Sequence, residues 1–264
     1  MLFVNLPLSW VAREARWLDM FIERNIAPEL GMDTVAVQSL PESWHRNTAA
    51  RIRDAGLECA VHLPFFDLHP GSLNDGILKA SRETLTRGVA YAALYAPQHM
   101  VGHVAWDEGQ HASARDSWLE RSCGTWQAVL EGASCPLRLE NTFEGDPAMI
   151  AQLVTALPAP RVGICFDVGH WFSFAGGARR NDLGRWLDAF AHRLAHLHLH
   201  DNDGSGDQHL GLGDGGIPWE SLFSGLKARG VVPSATLEPH DETSFIRSME
   251  WLEAHPEVSA MMCR

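Results

Sequence analysis

Short apolar runs alternate along this chain with longer stretches whose apolar residues recur three and four positions apart, so strand and helix periods take turns. The strand-like runs are Leu2–Leu6, Thr34–Gln38, Glu58–His62, His99–Val104, Pro136–Glu140, Val162–Asp167, Leu194–His200 and Ser234–Glu238. The helical patterns between and after them are Trp10–Arg24, Asn47–Ala55, Gly76–Tyr95, Ala114–Leu130, a stretch opened by Asp146 and Pro147, Asp182–Arg193, Pro218–Arg229 and Glu242–Ala254. Pro147 and Pro218 fall in first turns, where a missing N–H costs nothing. Eight strand–helix pairs predict a parallel sheet closed on itself, a single-domain (β/α)8 TIM barrel of the α/β class over residues 1–264. An open doubly wound sheet would want a glycine-rich turn after the first strand, and Asn5-Leu6-Pro7-Leu8-Ser9 has none.

Polar residues that break the pattern collect at the ends of the runs. In a closed barrel those ends meet at one mouth. The third run ends in His62, the fourth carries His103, the fifth ends in Glu140, and the sixth ends in Asp167 with His170 just beyond. The seventh alternates His196, His198 and His200 with Leu197 and Leu199, then empties into a Gly- and Asp-rich loop holding Asp207 and His209. The eighth ends in Glu238. One such histidine or carboxylate is ordinarily a hydrogen-bonded structural group or a helix cap. Nine of these at one mouth, namely His62, His103, Glu140, Asp167, His170, His198, Asp207, His209 and Glu238, would be costly without a cation, because carboxylates at close range repel and desolvate poorly. The nine therefore read as ligands of a divalent metal. Imidazole and carboxylate donors without thiolate suit Zn²⁺ or Mn²⁺ better than Mg²⁺.

Around this layer, Phe65, Phe66, Trp106 and Trp171 are candidates for shaping a substrate pocket. His200 and His240 are candidates for binding substrate or orienting a ligand, and Asp201 for holding a ligand's second nitrogen. Cys165 reads as a small buried apolar residue one step deeper. His196 and Arg138 would lie below the metal layer.

Charge and composition narrow the partners. The net charge of −12 opposes nucleic acid and anionic membrane surfaces and leaves a small-molecule substrate. Only Lys79 and Lys227 are lysines, both in helical patterns, which argues against a Schiff base. Five scattered cysteines with no CxxC suggest reduced thiols and a cytoplasmic protein. No stretch reaches the ~18 apolar residues of a membrane span, and no basic leader precedes an apolar core. The oligomeric state stays open.

Several motifs together carry a resemblance: Leu139-Glu140-Asn141-Thr142, Cys165-Phe166-Asp167-Val168-Gly169-His170, His198-Leu199-His200-Asp201, Asp207-Gln208-His209 and Leu237-Glu238. Over essentially its whole length the chain resembles the xylose isomerase-like barrel superfamily, which holds endonuclease IV and the sugar-phosphate isomerases and epimerases. The epimerase branch implies one metal held by Glu140, Asp167, His198 and Glu238, with Glu140 and Glu238 also moving protons through an enediolate. The endonuclease branch implies three metals, adding His62, His103, His170, Asp207 and His209. The sugar 3-epimerases place an arginine after the seventh-strand histidine, where this chain has Asn202 to Gly206. The endonucleases grip DNA with basic, aromatic loops, where this chain has Gln38-Ser39-Leu40-Pro41-Glu42 and Leu63-Pro64-Phe65-Phe66-Asp67. The expectation is a metal-dependent sugar or sugar-phosphate isomerase or epimerase carrying one to three Zn²⁺ or Mn²⁺ ions. The alternative is an endonuclease IV-like multi-zinc phosphodiesterase acting at apurinic sites.

Overall fold

The structure, a computed structural model, describes residues 1–262. Eight strands close into a parallel barrel in sequence order: β1 Leu2–Pro7, β2 Pro28–Gly31, β3 Ala60–His62, β4 Met100–His103, β5 Leu137–Glu140, β6 Val162–Asp167, β7 Leu194–Leu199 and β8 Ser234–Leu237. Helices lie between successive strands and cover the outside. Among the described residues no helix is long and apolar enough to cross a membrane. Cys59, Cys123, Cys135 and Cys165 are free thiols, and Cys263 lies outside the described residues.

One strand departs from the sequence expectation. Thr34–Gln38 is a short helix and not the second strand. Its β-branched Thr34, Val35 and Val37 favour a strand locally. Asp33 overrides them as the N-cap, its Oδ1 accepting from the Ala36 amide at 2.9 Å and its Oδ2 from the Ser9 amide at 3.0 Å. The true second strand, Pro28–Gly31, begins at a proline, which is where a strand tolerates one.

Between barrel and helices lies an aromatic layer. Trp186 stacks on Phe166 with centroids 5.8 Å apart and meets Phe190 edge-on at 5.5 Å. Trp171 belongs to this layer: it is 1% exposed and its indole donates to Asp182 at 3.0 Å. Trp106 is likewise buried, its indole donating to Glu108 at 3.1 Å while its ring meets Trp118. Neither ring lines the barrel mouth, so the expected substrate contacts from Trp106 and Trp171 are replaced by packing. Large apolar rings gain more from full burial than from a wet rim.

The register sets the site. It pairs His103 with Glu140, Asp167 with His198, and His198 with Thr236. Neighbouring strands run about 4.8 Å apart, so these side chains start at one level of the barrel.

The turn after β6 leaves no room at Gly169. A Cβ there would lie 2.0 Å from Cε1 of His200. Gly169→Ala is expected to push the His200 ring aside and to lower stability by about 1–3 kcal/mol, the usual cost of overpacking. A thermal melt of the variant checks this, and an unchanged midpoint would show that His200 yields freely.

Candidate metal centre

The nine donors inferred from the strand ends meet at the mouth. Glu140 is central and buried. Its Oε2 faces His62 Nε2 at 3.0 Å and His103 Nε2 at 3.3 Å. Its Oε1 faces His170 Nδ1 at 3.4 Å and His198 Nδ1 at 3.3 Å. His198 Nδ1 also lies 3.2 Å from Glu238 Oε1 and 3.8 Å from Asp167 Oδ2. A further group follows the Asp-x-His loop: Asp207 lies 3.4 Å from His170 Nε2, 3.2 Å from His209 Nε2 and 3.6 Å from His200 Nε2. The donors thus fall into three adjoining sets, around His62 and His103, around His198, and around Asp207.

This donor set fits a cation on the structure's own terms. Asp167 Oδ2, His198 Nδ1, His200 Nε2 and Asp207 Oδ1 are buried and make no hydrogen bond. They face other donors at 3.2–3.8 Å. Two ligands each about 2.0–2.1 Å from a tetrahedral ion are about 3.3 Å apart, so the spacing is compatible with groups sharing a metal.

Three of the imidazoles, His62, His170 and His209, are steered by a backbone carbonyl at Nδ1. Nδ1 of His62 lies 2.8 Å from the Leu63 carbonyl, and Nδ1 of His209 lies 2.7 Å from the Glu238 carbonyl. Donation to those oxygens points Nε2 at the shared centre, where it meets Glu140 for His62 and Asp207 for His209. His209 has a left-handed backbone, φ 50°, which costs of order 1–3 kcal/mol for a non-glycine residue. Its ring is clamped between His200, 3.9 Å away, and His240, 3.6 Å away, both stacked.

The electrostatics divide the two glutamates. Burial raises the Glu238 pKa, and the nearby Asp167 and Glu140 charges add to the rise despite His198. Burial works on Glu140 in the same sense, but His198, His103 and His170 outweigh it and hold its carboxyl well below the usual range. Burial disfavours charge on His198, yet Glu238, Glu140 and Glu29 hold that imidazole well above its ordinary value. Cys165, adjacent, is pushed far up by burial and stays a thiol. His170 is raised in the same way against its burial by Asp167, Asp207 and Glu140. His103 is lowered, burial prevailing over Glu140, and presents a neutral ring.

A cavity of about 410 Å³ opens over this layer, lined among others by Phe65, Phe66, Asp33, His209, Glu238 and His240. Phe65 stacks on His103 at 4.5 Å. No lysine or arginine lines it among the described residues. Phe143 and Phe174 are also exposed near the mouth, paired at 4.7 Å with Phe174 stacked on His170. Neither is legible in the sequence, since a lone phenylalanine in a loop carries no period. His200 lies beneath His209 against Asp167 at 3.3 Å, so it belongs to the donor layer. Asp201 orients no ligand. Its carboxylate ties the loop after β7, accepting from the amides of Gly213 and Ile217 and from the Trp219 indole. Glu29 escapes the sequence pattern altogether, because that pattern puts the second strand elsewhere.

Comparison with known proteins agrees with this architecture. The family profile described as "Xylose isomerase-like TIM barrel" matches residues 25–255. Uncharacterized protein MJ1311 of Methanocaldococcus jannaschii is 26% identical over 211 residues, which span 76% of this chain and 71% of that one. The TTHB071 protein of Thermus thermophilus, solved after soaking with ZnCl2, is 25% identical with a TM-score of 0.73, covering 96% of both chains. A D-tagatose 3-epimerase-like protein shares the fold at a TM-score of 0.78 and 21% identity, covering 98% of both chains.

Proposed function

This chain belongs to the xylose isomerase-like TIM barrel family, and from that premise we propose that it is a divalent-metal-dependent isomerase or epimerase of sugars or sugar phosphates. The observation that carries the reading is the pair of carboxylates at the ends of β5 and β8, Glu140 and Glu238, which both face Nδ1 of His198, at 3.3 Å and 3.2 Å. A Zn²⁺ or Mn²⁺ ion bound by Glu140, Asp167, His198 and Glu238 would supply Lewis-acid polarisation of a substrate carbonyl.

The protein's own groups do the rest. Glu238, with its raised pKa, takes the proton from the carbon beside the carbonyl, as suits a general base working near neutrality. Glu140, ionised at rest, takes a proton from His62, whose Nε2 lies 3.0 Å away and whose pKa stands raised against its burial by Glu140, and delivers it from the opposite side to the enediolate, while Glu238 later releases its proton to solvent. Phe65 and Phe66 flank the opening and exclude water from one wall of the cavity. His240 packs on His209 at the rim, within reach of a sugar hydroxyl. The cavity volume falls within the usual range for a small ligand, about 300–1,000 Å³.

A second reading has its own support. His62, His103, His170, Asp207 and His209 add donors beyond the four one ion needs, as a multi-zinc phosphodiesterase would require. Against it stand the net charge of −12 and a cavity lining without lysine or arginine among the described residues. Each phosphate contact ordinarily calls for a cation from the protein.

Metal counting with activity tests separates the two. Loaded with Zn²⁺ or Mn²⁺ and freed of excess, the chain is expected to hold one tightly bound ion. It should catalyse solvent-deuterium incorporation beside the carbonyl of a ketose. Three ions per chain, with cleavage of a phosphodiester and no deuterium incorporation, would replace this reading with the second.

A further inference from the structure

We propose that Glu29 is the positioning residue of the metal centre: reaching across the barrel from β2, its carboxylate sits against the Nε2 of His198 and commits the Nδ1 of that ring to the cation. The inference rests on the metal-dependent reading above and assigns a role to a group outside the nine donors.

The geometry is specific. Glu29 Oε1 lies 3.0 Å from His198 Nε2, while Nδ1 of the same ring faces Glu140, Asp167 and Glu238. β2 and β7 are not neighbours in the barrel, so the contact crosses its interior. Glu29 is 1% exposed and held from below. Thr236 Oγ1 donates to its Oε2 at 2.7 Å. The Thr236 hydroxyl, having given its proton to Glu29, accepts from His196 Nε2 at 2.9 Å, and His196 Nδ1 accepts from Ser234 at 2.7 Å. Ser234, His196, Thr236 and Glu29 thus form one ordered hydrogen-bonded chain, and the other oxygen of Glu29 meets His198 Nε2 as a close charge contact without hydrogen-bond alignment.

Glu29 differs from its counterparts. The rings of His62, His170 and His209 are tied by neutral backbone carbonyls, from Leu63, Asn141 and Glu238 respectively. His198 has a carboxylate, that of Glu29, 3.0 Å from its Nε2. A carboxylate behind a metal-bound imidazole fixes its tautomer and makes the nitrogen facing the ion a stronger donor, and losing such a partner typically weakens metal affinity about 10–100-fold. A full negative charge buried at the centre of a barrel is otherwise costly, and a cation held on the other side of His198 would offset it.

The test compares Glu29→Gln with the native chain, using Zn²⁺ titrated against a chromophoric chelator and ¹⁵N shifts of the His198 ring in the zinc-loaded protein. The native ring should show a protonated Nε2 and a zinc-bound Nδ1. Glu29→Gln keeps the shape and an acceptor but removes the charge. It should weaken zinc binding about 10-fold or more and shift the Nε2 resonance, with circular dichroism unchanged. Equal affinity, or a native His198 that binds zinc through Nε2, overturns the proposal. Should Glu29→Gln not fold, Thr236→Val carries the test, because it removes the hydroxyl that orients the carboxylate. Weakened zinc binding in that variant supports the role and unchanged binding overturns it. A native chain that binds zinc but isomerises no sugar would remove the proposed function and leave the Glu29 result standing. A native chain that takes up no zinc overturns both.

Discussion

Glu238→Gln is expected to lower proton exchange at the substrate carbon by about 10²–10⁴-fold, the usual share of general acid–base catalysis, while the chain remains folded. The side chain follows the end of β8 and is 12% exposed, so it reaches the cavity without supporting the core. Glutamine reproduces its volume and one oxygen near His198 but cannot accept the proton. Glu140→Gln gives a different outcome. Glu140 faces four imidazoles, and removing its charge leaves them without their common partner. That variant should lose metal as well as exchange, and should lose about 3–5 kcal/mol of stability, as when one partner of a buried ion pair is removed. Deuterium incorporation followed by NMR, with metal content measured on the same samples, distinguishes the two glutamates. Undiminished exchange in Glu238→Gln would take that residue out of the reaction.

Stripping the metal is expected to destabilise the protein, and more so as pH rises. The sign follows from which groups are shifted. His170 and His198 sit well above their ordinary 6.5. The stability they contribute in the metal-free chain is complete below that ordinary value and is lost as pH climbs through the raised folded values. Glu140 and Glu29 sit well below their ordinary 4.5, burial being outweighed by the imidazoles around them. Their contribution is present above 4.5 and is lost as pH falls through the lowered values. The metal-free chain is therefore most stable between those limits, where protonated imidazoles balance the buried carboxylates. A cation replaces those protons, so its affinity rises with pH as the imidazoles release them. At a free concentration about 1,000 times its dissociation constant, the ion adds about 4 kcal/mol. Thermal melts with and without chelator should show a gap that widens from about pH 6 to about pH 8. A gap that narrows over that interval would contradict the assignment of these histidines as ligands.

Seven of the eight strands are legible because their runs are apolar and end in a polar residue, as Val162–Asp167 does, or alternate, as Leu194–Leu199 does. Pro28–Gly31 is not, since a four-residue strand of Pro, Glu, Leu and Gly has neither alternation nor β-branching. The error has a chemical cost. With Thr34–Gln38 taken as the strand, Glu29 falls in a connection, and the carboxylate facing His198 from across the barrel goes unread. Trp106 and Trp171 fail for a related reason. Both stand near strand ends in the sequence, but whether a ring turns to the mouth or to the helix layer depends on packing.

The sequence by itself determined the strand–helix alternation and the residue types available at the strand ends, since both follow from local periodicity and from chemistry that each side chain carries alone. Only the tertiary structure decided which of those groups share a centre. Register brings His103 level with Glu140 and Asp167 level with His198, and barrel closure brings Glu29 to the far face of that same imidazole. Contacts between residues so distant along the chain depend on strand tilt and shear, which no local pattern encodes.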